Sequence, residues 1–491
     1  MTVTDPPEPT PSNDRAFKAR VLSGLKWTAS MRLLSQAASW LVTLVVIRLL
    51  APSDYGLLAL AQLLIGLATL LNQIGLTPAL IQARTMPDHI LRSVFGYVLA
   101  SNAVLYVAVY LAAPRFAALY DAPDLVPVIR VLGLQLLIGG IGAVPTALAT
   151  RDMAFKHLSL IGLVATIVGS ALSLVIAILD GGVWALVSAS LGSALCQTIG
   201  IFVVTRFWMR PSLQSRGMGS LFSFGAWTSG GRLAWYFAES ADELIIGKAF
   251  GNAVLGSFNV AKNLASLPMF RVMDIVNQVT FPAYSRLEGD QVKALNYFLK
   301  SVWLGMLLFC PICWGFASVA PLFTEVVMGA QWRDATFALH LLALSIPLQA
   351  LSSLLTPVVQ ALGRPDLTFR NSVARLVLYP LAAMLAIPYG IDAVVVALVA
   401  VRVVTLFMFM HIAKRVFPLR LSALWQASSA PVIAGAGMYA VVVLLCQRGD
   451  GLLAAPWLLG LACVVGAAVY LALLFALAPD TIRQFKSTMR S

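Results

Sequence analysis

The chain has 491 residues, 59% of them hydrophobic and 11% charged, against roughly 25% charge in an ordinary soluble domain. That composition excludes a water-soluble globule and predicts an all-α polytopic membrane protein. The net charge of +13 would suggest nucleic acid in a soluble chain, but here it reflects orientation in the bilayer, and no nucleic-acid partner is expected.

Residues 1–21 hold Asp5, Glu8, Asp14 and four prolines ahead of most of the basic residues. This is unlike a cleaved secretory signal and reads as a disordered cytoplasmic tail. Apolar stretches follow near 22–48, 56–81, 93–113, 125–148, 158–179, 183–205, 220–247, 254–281, 299–320, 336–361, 367–388, 391–411, 423–446 and 452–478. Each is close to the roughly 20 residues that a helix needs to cross the hydrocarbon. Fourteen transmembrane helices are therefore predicted. They are grouped as an N-lobe at 22–208, a cytoplasmic linker at 209–219, a C-lobe at 220–417, and a terminal pair with a cytoplasmic C-terminus at 418–491.

Orientation gives an independent check. With both ends inside, the short cytoplasmic segments hold 22 Lys and Arg, and the opposite side holds Arg48, Arg115, Lys248, Arg333 and Arg448. A wrong span count would scramble this bias.

An internal echo appears at an offset of 200. Trp27-Thr28 and Arg32-Leu33 meet Trp227-Thr228 and Arg232-Leu233, while Gly56 meets Gly256 and Ala61 meets Ala261. Six spans separate the copies, so both enter the membrane in the same direction. The expected architecture is two pseudo-symmetric six-helix lobes plus a terminal pair around a central cavity.

Seven cations fall inside the expected spans and clear of their end residues: Arg32, Arg130, Arg232, Lys262, Arg271, Arg375 and Arg402. Glu239, Asp242, Glu243 and Asp274 join them. A charge at the bilayer centre costs about 2.5–3.5 kcal/mol on insertion scales, so these groups are expected to pair or to line a wet cavity. Arg32, Arg232, Lys262 and Arg402 lie near mid-span, whereas Arg130 is near an outer end and within snorkelling reach of the headgroups. At 100° per residue Arg32, Gln36, Ser39 and Thr43 share a stripe, and Arg232, Glu239 and Glu243 share a face flanked by Trp235 and Tyr236. Arg271 and Asp274 share another, with Lys262 opposite in a straight helix. The excess of cations implies an anionic ligand, and structural ion pairs are the competing reading for the acids.

Other motifs carry no chemistry. Cys310-Pro311-Ile312-Cys313 copies a redox spacing without a βαβ context. Gly435-Ala436-Gly437 sits inside an apolar span, where small residues pack helices. The four His lack metal-ligand spacing. No nucleophile constellation or phosphate loop emerges, so neither enzyme activity nor a cofactor is expected.

Several motifs occur together in order: Arg48-Leu-Leu-Ala-Pro-Ser-Asp-Tyr-Gly56, Gly75-Leu-Thr-Pro-Ala-Leu-Ile-Gln82, Asp124-Leu-Val-Pro-Val-Ile-Arg130, Ile245-Ile-Gly-Lys-Ala-Phe-Gly251, Phe281-Pro-Ala-Tyr-Ser-Arg286 and Ala361-Leu-Gly-Arg-Pro-Asp366. As a set they resemble the Wzx-type polysaccharide flippases of the multidrug/oligosaccharidyl-lipid/polysaccharide flippase superfamily. The resemblance covers the first twelve spans. It implies a bacterial inner-membrane protein that moves undecaprenyl-pyrophosphate-linked oligosaccharide between leaflets for exopolysaccharide or lipopolysaccharide assembly, by rocking two lobes about a cationic cavity. It also implies ion-gradient coupling. A polysaccharide polymerase and co-polymerase are expected partners, and because a cavity between two lobes needs no partner chain, a monomeric transport unit among membrane lipids is the expectation, with a dimer left open.

Joined to that resemblance, charge and phase assign substrate binding to Arg32, Gln36, Arg232, Trp235, Tyr236, Lys262, Arg271, Arg375 and Arg402. Ion coupling falls to Glu239, Asp242 and Asp274. Phe258-Asn259-Val260-Ala261-Lys262 departs from the family, many of whose members are richer in Tyr there. Two other classes stay open, a cation-coupled multidrug exporter and a non-transporting scaffold for glycan assembly.

Overall fold

In hydrocarbon every backbone amide must be satisfied within its own segment, so long apolar runs can only be helices. The computed structural model describes residues 39–72, 80, 87–213, 219–284, 290–449 and 453–478. Twelve helical segments among the described residues are long and apolar enough to cross a membrane, against the fourteen expected. The difference lies in two places. Ser39–Leu49 is a short apolar helix at the described end of the first expected span, and the seventh and eighth expected spans share one apolar stretch, Glu239–Met269, broken at Gly251.

Two compact units make up the chain. The first comprises Met1–Leu50 and Ala61–Leu233. Its described helices are α1 (Ser39–Leu49), most of α2 (Pro52–Asn72), α3 (Asp88–Leu119), α4 (Leu125–Leu132), α5 (Leu134–Arg151), α6 (Phe155–Ile178) and α7 (Val183–Thr205). The antiparallel pair α6 and α7 packs closely because Gly169 lets the Ala189 carbonyl approach; a Cβ there would lie 2.8 Å from that oxygen. Close packing at small residues is how helices associate without a hydrophobic driving force between them. Beyond α7 the chain returns along α3, where Phe207 joins the buried cluster of Leu91, Val94, Phe95, Val98 and Val144.

The second unit comprises Ala51–Leu60 and Ala234–Ser491. It holds the start of α2 and most of α8 (Gly219–Tyr284), then α9 (Gln291–Phe309), α10 (Ala335–Ala361), α11 (Pro365–Ala386), α12 (Ile391–Ala413), α13 (Leu421–Gly449) and α14 (Ala455–Leu477). Asp290 caps α9 by accepting from the backbone N–H groups of Val292 and Lys293. Phe298, Phe309, Phe409 and Phe417 form the centre of its main core. The terminal pair joins this unit through Met438, Tyr470 and Leu474, and the Tyr470 hydroxyl donates to the Leu307 carbonyl at 2.9 Å.

Both sequence motifs set aside as structural pack as such. Cys310 and Cys313 are fully buried free thiols in a π turn that continues α9. Gly435 lies against them, since a Cβ there would be 2.8 Å from Cys310 Cβ and 3.0 Å from the Trp314 ring. The Arg130 guanidinium stacks 4.1 Å over the Tyr110 ring, and its buried Nε has no hydrogen-bond partner among the described residues.

Residues of the sequence echo at offset 200 meet in the second unit. A methyl group on Gly256 would strike the Pro52 carbonyl oxygen, and one on Gly56 would strike the Asn252 carbonyl oxygen. Positions 52 and 252, like 56 and 256, are 200 apart. Contact of i with j+200 and of i+200 with j is the reciprocity of a self-complementary, two-fold interface.

Candidate functional site: buried charges of the second unit

The site begins with a break in α8. Gly251 takes φ 81°, ψ 179°, a left-handed-side conformation that glycine adopts without a Cβ penalty, and the helix folds back on itself there. At 1.5 Å per residue, positions about equally far from such a turn meet side by side. Asp242 lies nine residues before Gly251 and Lys262 eleven after it.

They do meet. Lys262 Nζ is 2.9 Å from Asp242 Oδ2 and 2.9 Å from Glu243 Oε1, and it also donates to the Glu239 carbonyl at 3.2 Å. An ammonium has three protons, and three groups of the first arm receive them. The side chains are 15%, 10% and 15% exposed for Lys262, Asp242 and Glu243, so each charge depends on the others for solvation. As placed, Lys262 offers no spare donor to the anion it was expected to bind.

Glu239 points to a different partner. Its Oε2 is 3.5 Å from Arg375 Nη2 on α11, and the Arg375 guanidinium lies 5.4 Å from the centre of the Tyr379 ring. Among the described residues the acids thus pair with Lys262, across the turn at Gly251, and with Arg375 of α11. Counting described side chains only, three carboxylates face two cations, a local balance of −1.

Arg402 differs from these. It lies midway along α12, and its Nη1 donates to Ser345 Oγ of α10 at 2.8 Å. Ser345 is 2% exposed. Among the described residues no carboxylate lies within 4 Å of Arg402, and its partner there is the Ser345 hydroxyl.

Of the remaining expected residues, Tyr236 is half-buried with its ring edge-on to Phe237 at 6.3 Å. Arg32 and Gln36 lie outside the described residues, as do the side chains of Arg232, Trp235, Arg271 and Asp274 on α8. The structure therefore brings together Lys262, Asp242, Glu239 and Arg375, and sets Arg402 with Ser345. Sequence reasoning missed Ser345 and Tyr379, because nothing distinguishes one serine or tyrosine in an apolar helix. The Lys262 pairing did carry a signal, namely its distance from Gly251.

Residues 45–337, more than half the chain, match the model of a family described as polysaccharide biosynthesis protein. The chain belongs to that family. The expected resemblance to polysaccharide flippases is borne out. This polysaccharide biosynthesis protein is 26% identical over 419 residues to the teichuronic acid biosynthesis protein TuaB of Bacillus subtilis, covering 84% of this chain and 86% of TuaB. It is also 26% identical over 348 residues to the succinoglycan biosynthesis transport protein ExoT of Rhizobium meliloti, covering 70% and 69% respectively. Among solved structures, the lipid II flippase MurJ in an inward closed conformation matches with a TM-score of 0.71 at 12% identity, over 91% of this chain and 99% of that one. That likeness places this family member in the same all-helical membrane fold.

Proposed function

We propose that this polysaccharide biosynthesis protein is a flippase of the bacterial inner membrane, with both termini cytoplasmic. It carries undecaprenyl-pyrophosphate-linked oligosaccharide to the outer leaflet by alternating access. The family match over residues 45–337 carries this reading, and the likeness to a transport protein of succinoglycan biosynthesis supports it. A pyrophosphate calls for guanidinium groups, which offer planar paired donors at full charge. Arg402 meets that need, with no carboxylate beside it among the described residues. Arg32, Arg232, Arg271 and Arg375 are assigned as companions for acidic groups, Lys262 acts through its ion pairs, and Gln36, Trp235 and Tyr236 face the sugars. Glu239, Asp242 and Asp274 are assigned to ion coupling.

The test uses a strain lacking the chromosomal copy, complemented with the full chain carrying Arg402→Ala. Lipid-linked repeat units are expected to accumulate in the cytoplasmic leaflet with the protein still inserted. Unchanged export and leaflet distribution from this variant would overturn the assignment. A shift in resistance to toxic cations with normal export would instead favour drug export. Failed polymer assembly with normal flipping would favour a scaffold. Export that persists after Glu239, Asp242 and Asp274 are neutralised, with ion gradients collapsed, would remove the coupling role.

A further inference from the structure

Residues 206–213 leave α7 and return along α3 as a non-helical strap held by two pins. Phe207 is buried, its ring edge-on to Phe95 at 5.3 Å. Further on, the Ser212 N–H donates to the Arg92 carbonyl at 3.0 Å, an approach that Gly96 permits because any Cβ there would strike the Ser212 carbonyl. Side chains of an extended chain alternate between faces. With Phe207 and Met209 packed on the core, Arg206, Trp208 and Arg210 are turned outward, and Trp208 is 84% exposed. Arg206 ends α7 in the left-handed region at φ 47°, ψ 38°, a conformation that side-chain-bearing residues seldom adopt.

Two clefts border this Arg-x-Trp-x-Arg stripe. One is an apolar groove of about 570 Å³, walled by Ile141 of α5 and by Ile199, Phe202 and Val203 of α7, with Arg206 and Trp208 also lining it. The other is a polar cleft of about 540 Å³ lined by His89, Arg92 and Arg210, with Asp88 as its one acid. An apolar trough beside a cationic cleft, with an exposed indole at the border, has the chemistry of a membrane amphiphile's binding place. The trough takes a hydrocarbon chain, the guanidinium groups take a phosphate, and Trp favours the headgroup level.

We propose that the 206–213 strap binds an anionic glycerophospholipid. One acyl chain lies in the groove between α5 and α7, and the headgroup phosphate sits between Arg206 and Arg210, with Arg92 and His89 as further donors. The site is separate from the buried charges of the second unit, and the proposal stands whatever the protein carries.

The experiment places the full chain in phosphatidylcholine nanodiscs and titrates phosphatidylglycerol, reading bound lipid by native mass spectrometry. Each basic residue near the headgroups contributes a factor of about five, so two arginines give about a thirty-fold preference for phosphatidylglycerol. The Arg206→Gln, Arg210→Gln double variant keeps both pins and is expected to bring the two lipids near parity. If that variant fails to fold, the wild-type preference decides the question, because it should shrink steeply between low and high salt. Equal binding of the two lipids, an unchanged preference in the double variant, or a preference indifferent to salt would each overturn the proposal. Inorganic pyrophosphate that competes as well as the lipid would also overturn it, marking a site for soluble phosphates.

Discussion

Lys262 and Arg402 are both cations within apolar helices of the same unit, yet their surroundings differ in kind. Lys262 is enclosed by two carboxylates and a carbonyl oxygen, whereas Arg402 has a buried serine hydroxyl. The first charge is consumed in holding a helical fold-back together. The second has no carboxylate beside it among the described residues. Position along a span therefore says that a charge needs company but not what the company is, and the company decides between architecture and recognition.

The largest expected effect tests the architectural half of that contrast. Lys262→Met strands Asp242 and Glu243 together, and breaking a buried pair by removing one member costs about 3–5 kcal/mol. Thermal unfolding of the purified protein should show the loss, and a Lys262→Met, Asp242→Asn, Glu243→Gln variant should recover most of it. A Lys262→Met protein as stable as the wild type would break the comparison.

Next comes the recognition half. Arg402→Ala should lower export about 10–100-fold, the worth of a charge-assisted hydrogen bond, with far less effect on unfolding than Lys262→Met. An Arg402 variant that fails mainly by unfolding would merge the two cations into one class.

Smaller effects sharpen the scale. Arg375 and Glu239 are 3.5 Å apart and 30% and 37% exposed, so Arg375→Gln should cost less than about 1 kcal/mol by the same unfolding measurement. Smallest is Asp290, outside the spans. Two backbone N–H groups and the Lys293 side chain hold its carboxyl below the usual range. A depressed folded-state value means that its stabilisation is fully present above the unfolded-state value and is lost as pH falls through the folded one. Asp290→Ala should therefore flatten the acid side of the stability profile slightly and leave neutral export unchanged.

The spans were legible because lipid leaves helix as the only option for a long apolar run. Their ends were less so: the stretch expected at 93–113 extends over Asp88–Leu119, since a helix does not stop where its apolar run does, and Arg92 and Arg115 lie in these exposed extensions. The acids of α8 were visible as misplaced charges. Their partners were not, because helical phase relates residues on one straight helix only, and the pairing of Asp242 with Lys262 crosses the turn at Gly251. The Arg402–Ser345 bond joins helices 57 positions apart, a separation that no local pattern encodes.

The Gly56 and Gly256 crossing constrains how this sequence can drift. Because each glycine abuts the backbone of the other segment, neither position admits a side chain without moving that segment. A side chain gained in either half would need a compensating shift in the other. One methyl group at either place would thus push apart the two segments that cross there.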